Sequence, residues 1–196
     1  MMHKIKRSSF VLLAAILLDI AVNGQVNLPA ENRPNHDSFM DAKDVPNFYK
    51  VNSNLYRGGQ PTEAGVNALA KLGIKTIIYL RGSDNRAKIE EKWATAAGMG
   101  FINEPERNWG KPTRESIDSI VKKLDLAENQ PVFVHCKRGS DRTGTVIAIY
   151  RISRDGWTVE QANAEAKKFG FGWWQVWMKD FINDYYRDFK NRDHKQ

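Results

Sequence analysis

The stretch Val134-His135-Cys136-Lys137-Arg138-Gly139-Ser140-Asp141-Arg142-Thr143-Gly144 lies between two apolar runs, Pro131-Val132-Phe133-Val134 and Val146-Ile147-Ala148-Ile149-Tyr150. The first run is short, β-branched and aromatic, which predicts a buried strand. The second predicts a helix opening after Thr143 and Gly144. A strand, a tight loop and a helix in that order make an anion site, because loop N–H groups and the helix N-terminus point at one spot. Cys136, at the start of the loop, is the only cysteine in the chain. Cations and a helix N-terminus stabilise a thiolate, the nucleophilic form. Arg142 offers a fixed charge and a planar fork for two phosphate oxygens. Nucleophile and oxyanion clamp then converge on one phosphorus, which suits phosphoryl transfer through a cysteinyl-phosphate.

The 196 residues suffice for one domain with a proper core, and 41% hydrophobic content fits a soluble globular protein. Residues 1–24 read as a secretory signal. Lys4, Lys6 and Arg7 precede an apolar run from Phe10 to Leu18 that is too short to span a bilayer, with cleavage expected after Gly24. The mature chain is then exported, periplasmic or secreted, with no membrane span; an uncleaved N-terminal anchor is the alternative. A single cysteine in an exported chain has no internal disulfide partner, which favours a catalytic thiol. Losing Lys4, Lys6, Arg7 and Asp19 lowers the formal charge from +7 to +5, a balance suited to an anionic substrate. No basic stripe with interleaved aromatics appears, so no nucleic-acid partner is expected.

Residues 25–45 are polar and aperiodic and read as a linker or arm, with the domain over 46–192. Phe48–Val51 and Leu55–Arg57 predict two short strands joined by a turn. A helix from Thr62-Glu63 to Leu72 ends at Gly73. A strand over 75–80, a helix over 87–97, a strand over 100–103 and a helix over 113–127 follow. Ile117, Ile120, Val121 and Leu124 recur at helical spacing and are assigned to the core. Helices over 158–168 and about 174–191 close the chain. The last carries Trp173, Trp174, Trp177, Phe181 and Tyr185, read either as packing of a terminal helix or as an exposed patch for a partner. Strands alternating with helices predict an α/β fold, a central sheet covered by helices.

His-Cys-x-x-Gly-x-x-Arg-Thr-Gly resembles the Cys-x5-Arg signature of the protein tyrosine phosphatases. Leu55-Tyr56-Arg57-Gly58-Gly59-Gln60-Pro61, Gly73 to Ile78, Tyr150-Arg151 and Gly156-Trp157 extend the resemblance over about residues 46–170 to the compact dual-specificity branch. Within it, the chain is similar to bacterial periplasmic tyrosine phosphatases of TpbA type and to plant and fungal atypical enzymes acting on inositol pyrophosphates. The resemblance implies a shallow-pocket phosphatase that needs no metal or other cofactor and acts on a phosphorylated protein or an inositol phosphate. It makes Cys136 the nucleophile and Arg142 the clamp. The loop Lys137, Arg138, Gly139, Ser140 becomes the cradle, His135 the orienting residue and Thr143 a donor to the sulfur. The family's acid is an aspartate about 30 residues before the cysteine. Here that loop, Glu104 to Pro112, has none, and the position falls on Glu106, Asn108 or Trp109. Glu106 is the best carboxylate by spacing, and Asp141 inside the loop is the second candidate. Arg57, Arg81 and Arg107 are further cations if their loops meet over the site. The missing aspartate keeps a non-catalytic phosphate-binding module open as an alternative, and a rhodanese-like sulfurtransferase is a more distant one.

Overall fold

The computed structural model describes residues 40–107 and 110–193. The signal segment and most of the 25–45 arm lie outside them. Among the described residues no helix is long and apolar enough to cross a membrane.

Five strands form one sheet: β1 (Tyr49–Lys50), β2 (Leu55–Gly58), β3 (Thr76–Tyr79), β4 (Gly100–Asn103) and β5 (Val132–His135), in the order β1-β2-β5-β3-β4. Only the β1–β2 pair is antiparallel. β5 is therefore central, paired to β2 on one side and β3 on the other, and all four of its residues are buried. Six helices cover the faces: α1 (Glu63–Lys71), α2 (Asn85–Ala96), α3 (Arg114–Asp125), α4 (Asp141–Arg154), α5 (Val159–Lys168) and α6 (Val176–Asp193).

The helix starts follow side-chain chemistry. Thr62, Asp84 and Thr113 accept N–H bonds at the starts of α1, α2 and α3, and Thr158 with Gln161 closes a reciprocal capping box on α5. The core has two halves because side chains alternate along each strand. Val132 and Val134 of β5 join Ile78, Leu80, the predicted quartet of α3, and residues of α4 and α6. Phe133 points the other way, into a cluster with Tyr56, Ile77, Leu69 and Val66 under α1 and α2.

Three expectations need correction. Helix α4 begins at Asp141 rather than after Gly144, so Asp141, Arg142 and Thr143 form its first turn. The arm does not end at residue 45: Val45 is fully buried, Met40 nearly so, and the Thr62 N–H donates to the Asp44 carbonyl. The polarity of 25–45 hid two apolar residues that complete the α1 side of the core. The terminal aromatics divide: Phe181 and Tyr185 are buried, whereas Trp173 is 86% exposed and Trp177 and Trp174 are also exposed.

A chain beginning at residue 46 should lose about 3 kcal/mol of unfolding free energy relative to one beginning at residue 34, the cost of removing two buried apolar side chains. Urea unfolding of the two chains measures this.

Candidate active site

The loop after β5 is held from both flanks. Leu80, just past β3, donates its N–H to the His135 carbonyl at 2.9 Å. Gln60, just past β2, donates its N–H to the Lys137 carbonyl at 3.2 Å. Between them the loop turns at Gly139, whose φ of +71° is a conformation that side chains disfavour. A Cβ on Gly139 would also overlap the Gly58 carbonyl, so the loop sits directly on the backbone at the end of β2. The strand order makes this possible, because β2 is the immediate neighbour of β5.

Cys136 is 97% buried at the base of a cavity of about 390 Å³. Arg142, from the first turn of α4, lines the same cavity, and its guanidinium donates to the Leu80 carbonyl at 3.3 Å. The first N–H groups of an α-helix have no intrahelical acceptor, so the start of α4 adds backbone donors beside Cys136. Arg81, Lys137, Arg138, Ser140, Asp84 and Asp141 complete the polar lining. Four cations against two carboxylates leave a surplus of positive charge that matches one phosphomonoester dianion. Among the described residues, no group of His, Cys, Asp and Glu has a metal-binding arrangement.

His135 shares the face of Phe133, by strand alternation, and stacks on it with ring centroids 5.3 Å apart. Its Nδ1 lies 3.2 Å from the Cys136 carbonyl. Its Nε2 approaches Glu90 Oε1 of α2 to 2.6 Å without an aligned hydrogen bond, and both side chains are fully buried. The other Glu90 oxygen accepts from the Gln60 side chain, whose own oxygen accepts from Arg81. A polar chain thus runs from the cavity wall at Arg81 through Gln60 and Glu90 to His135 and the Cys136 backbone. Nothing in the sequence singled out Glu90, which sits in the charged run Lys88-Ile89-Glu90-Glu91-Lys92. The exposed Glu91 beside it in α2 shows how easily that run reads as solvent-facing.

The remaining predicted residues divide by position. Both Asp141 oxygens are engaged: Oδ1 accepts from the Gly172 N–H at 2.8 Å and Oδ2 from Arg138 at 2.6 Å. Thr143 is fully buried, and its hydroxyl makes no hydrogen bond, to the sulfur or elsewhere among the described residues. The early start of α4 turns it inward, contrary to the expected donor role. Lys137 and Arg138 are exposed at the rim. Arg57 lies buried beneath the loop, Arg81 lines the cavity, and Arg107 is exposed and outside the lining. Asn108 and Trp109 fall outside the described residues.

Glu106 stands beside the cavity rather than in its lining. Its N–H donates to the Leu80 carbonyl at 3.2 Å, the same carbonyl that accepts from Arg142. Burial pushes its carboxyl above the ordinary carboxylate range, opposed by a hydrogen bond from Ser116 and by the charge of Arg142.

The segment between α5 and α6 closes another side. Gly172 is pinned to Asp141, Phe171 lies on Gly144, and Trp174 packs on Gly172 with the Arg138 guanidinium 5.7 Å from its ring. Trp174, with Trp173 edge-on against it, therefore adjoins the rim of the cavity. Their clustering was visible in the sequence, but the Asp141–Gly172 bond that brings them there was not.

A cysteine at the base of an anion cradle, with an arginine from the following helix turn, defines a cysteine-based phosphatase fold. The family model described as DSP-PTPase phosphatase fused to NAD+ kinase matches residues 30–181, and the chain belongs to this dual-specificity and protein tyrosine phosphatase family. It is 31% identical over 164 residues to the dual specificity protein phosphatase TpbA of Pseudomonas aeruginosa (strain UCBPP-PA14), covering 83% of this chain and 72% of that one. The crystal structure of P. aeruginosa TpbA superposes with a TM-score of 0.64 at 26% identity, covering 74% of this chain and 87% of that one. The core catalytic domain of the PP-IP phosphatase Siw14 from S. cerevisiae shares the fold, with a TM-score of 0.66 at 22% identity over 76% and 91% of the two chains. The chain is a phosphatase, a hydrolase of phosphoesters.

Replacing Glu90 by Ala should cost about 3–5 kcal/mol of stability, because His135 and Gln60 lose a buried charged partner. Chemical denaturation of the variant measures the loss.

Proposed function

We propose that the chain is a metal-independent phosphomonoesterase that works through a cysteinyl-phosphate on Cys136, acting on phosphotyrosine in polypeptides. The observation that carries this reading is the convergence of Cys136, Arg142 and the start of α4 on one cavity. The Cys136 thiolate attacks phosphorus while Arg142 and the loop N–H groups hold the equatorial oxygens. Glu106 gives its proton to the departing phenolic oxygen, then takes one from the water that hydrolyses the thiophosphate. Its raised pKa suits this role, since more of the acid form survives toward neutral pH. Asp141 is a brace, because both its oxygens are already bound.

Two features favour a polypeptide over an inositol polyphosphate. With Cys136 as a thiolate the lining holds four cations against three anions, too small a surplus for several phosphates, and the Arg138 charge is already met by Asp141. Trp173 and Trp174 next to the rim offer a surface for an aryl ring and its flanking residues. TpbA has been solved in complex with pTyr. Export through residues 1–24 belongs to the same proposal and rests on their sequence, with mature protein starting near Gln25.

Phosphate release from a phosphotyrosine peptide should persist in EDTA and fall at least about 10³-fold in Cys136→Ser. Release without loss in that variant, or binding with no release, contradicts the proposal. Glu106→Gln should lower kcat about 10²-fold and remove the alkaline limb of the pH profile. The sign follows from the acid form: activity declines as pH rises through the Glu106 pKa, which lies above the ordinary carboxylate value. The double variant Trp173→Ala/Trp174→Ala should lower kcat/KM for the peptide about tenfold and leave para-nitrophenyl phosphate nearly unchanged. A preference of the intact enzyme for inositol polyphosphates would overturn the substrate assignment.

A further inference from the structure

Arg57 is the largest fully buried side chain of the domain, and nothing in the chemistry above uses it. It lies on β2, on the strand face that Leu55 shares, toward α4 and α5. One guanidinium nitrogen donates to the Gly139 carbonyl at 2.6 Å, beneath the turn of the phosphate loop. The guanidinium stacks on the Phe169 ring, 4.1 Å from its centroid. Its Nε and the other terminal nitrogen have no hydrogen-bond partner. The nearest carboxylate that acts on it, Glu165, is already held by Arg151 at 2.9 and 3.2 Å.

A buried guanidinium without its own carboxylate costs stability, and a neutral side chain of similar shape would avoid that cost. The charge therefore has to be offset by something else. The groups that face Arg57 are Tyr49 of β1, Cys136 of the loop, Arg151 of α4 and Glu165 of α5. Of these, Glu165 is already held by Arg151, which leaves Cys136 as the group whose ionised form would offset the Arg57 charge. Burial holds the Arg57 pKa down to about 10, and the charges of Glu165 and, after it, Cys136 act in the opposite direction. The group thus remains cationic at neutral pH. Coulomb attraction is mutual, so whatever a Cys136 thiolate does for Arg57, Arg57 does for the thiolate.

We propose that Arg57 is a positioning residue of the phosphatase site: from beneath the phosphate loop it fixes the Gly139 turn and supplies a buried positive charge that stabilises the anionic state of the Cys136 sulfur. This rests on the reading of Cys136 as the nucleophile. Arg142 and the rim cations, with Asp84 and Asp141 among them, act from the solvent side, and the His135–Glu90 pair acts through the opposite face of the sheet. Arg57 acts from the third side, where low polarity makes a charge effective over a longer range. The motif Leu55-Tyr56-Arg57-Gly58-Gly59-Gln60 then has one physical purpose. Its glycines allow the loop to rest on the strand, its arginine charges the contact, and Gln60 holds both the Lys137 carbonyl and Glu90.

The test is the rate of Cys136 alkylation by iodoacetamide in the full chain, for the native protein, Arg57→Met and Arg57→Lys, at about pH 6 and about pH 9. At the lower pH the Met variant should react about tenfold more slowly than the native protein. At the higher pH, where the thiol is ionised without help, the two rates should converge. Arg57→Lys, which keeps a charge but loses the fork, should stay closer to the native rate than Arg57→Met. A purely structural brace predicts instead the same ratio of rates at both pH values, and that result overturns the proposal, as does an unchanged rate at the lower pH. Should Arg57→Met fail to fold, the Lys variant decides: near-native reactivity at the lower pH supports the charge, and a loss equal at both pH values refutes it. A native protein whose Cys136 reacts no faster than a free thiol would instead count against the nucleophile itself, an outcome distinct from failure of the Arg57 inference.

Discussion

The close approach of two backbones governs this structure: the turn at Gly139 rests on the carbonyl of Gly58 with no side chain between them. That contact holds the phosphate loop in the shape that gathers its N–H groups around Cys136. It requires β2 beside β5, glycine on both sides, and a filled space underneath. Arg57 and Phe169 fill that space, and α5 carries the carboxylate that holds the neighbouring Arg151. The sheet order, the packing of α4 and α5 and the position of Cys136 are thus one problem with one solution.

Charge is buried on several sides of the loop. His135 and Glu90 occupy one face of β5, Arg57 lies on the other, and Asp141 ties the loop to the segment before α6. Apolar replacements at such positions commonly match or exceed the stability of the ionic arrangement. What the ionic arrangement provides is a loop fixed from three sides and an environment that favours an anion at its centre. The exposed rim is less constrained. Lys137, Arg138 and the tryptophans meet solvent there.

Much of this was legible in the sequence because the relevant signals are local. Strand, loop and helix around Cys136 follow from two apolar runs and the motif between them, and Thr62, Thr113 and Thr158 announce helix starts. The α3 quartet of Ile117, Ile120, Val121 and Leu124 is buried as its spacing requires. The rest depends on tertiary contacts that no window contains. Glu90 becomes a buried partner only because α2 crosses the face of β5 that carries His135. Asp141 is a candidate acid by its place inside the loop until Gly172, 31 residues later, binds one oxygen. Val45 and Met40 belong to the core although the residues around them are polar. Thr143 turned inward because α4 starts at Asp141, about four residues before the predicted point, a shift of the size that helix boundaries read from sequence carry.

The most direct test of the chemistry is to catch the intermediate. Native protein mixed with a phosphotyrosine peptide and quenched in denaturant within one turnover should carry a phosphoryl group on the peptide containing Cys136, absent from Cys136→Ser. The adduct should accumulate in Glu106→Gln if that residue also activates the hydrolytic water. Phosphate release through many turnovers with no phosphoryl group ever found on Cys136 would contradict the covalent mechanism, and with it the purpose assigned to the loop and everything packed beneath it.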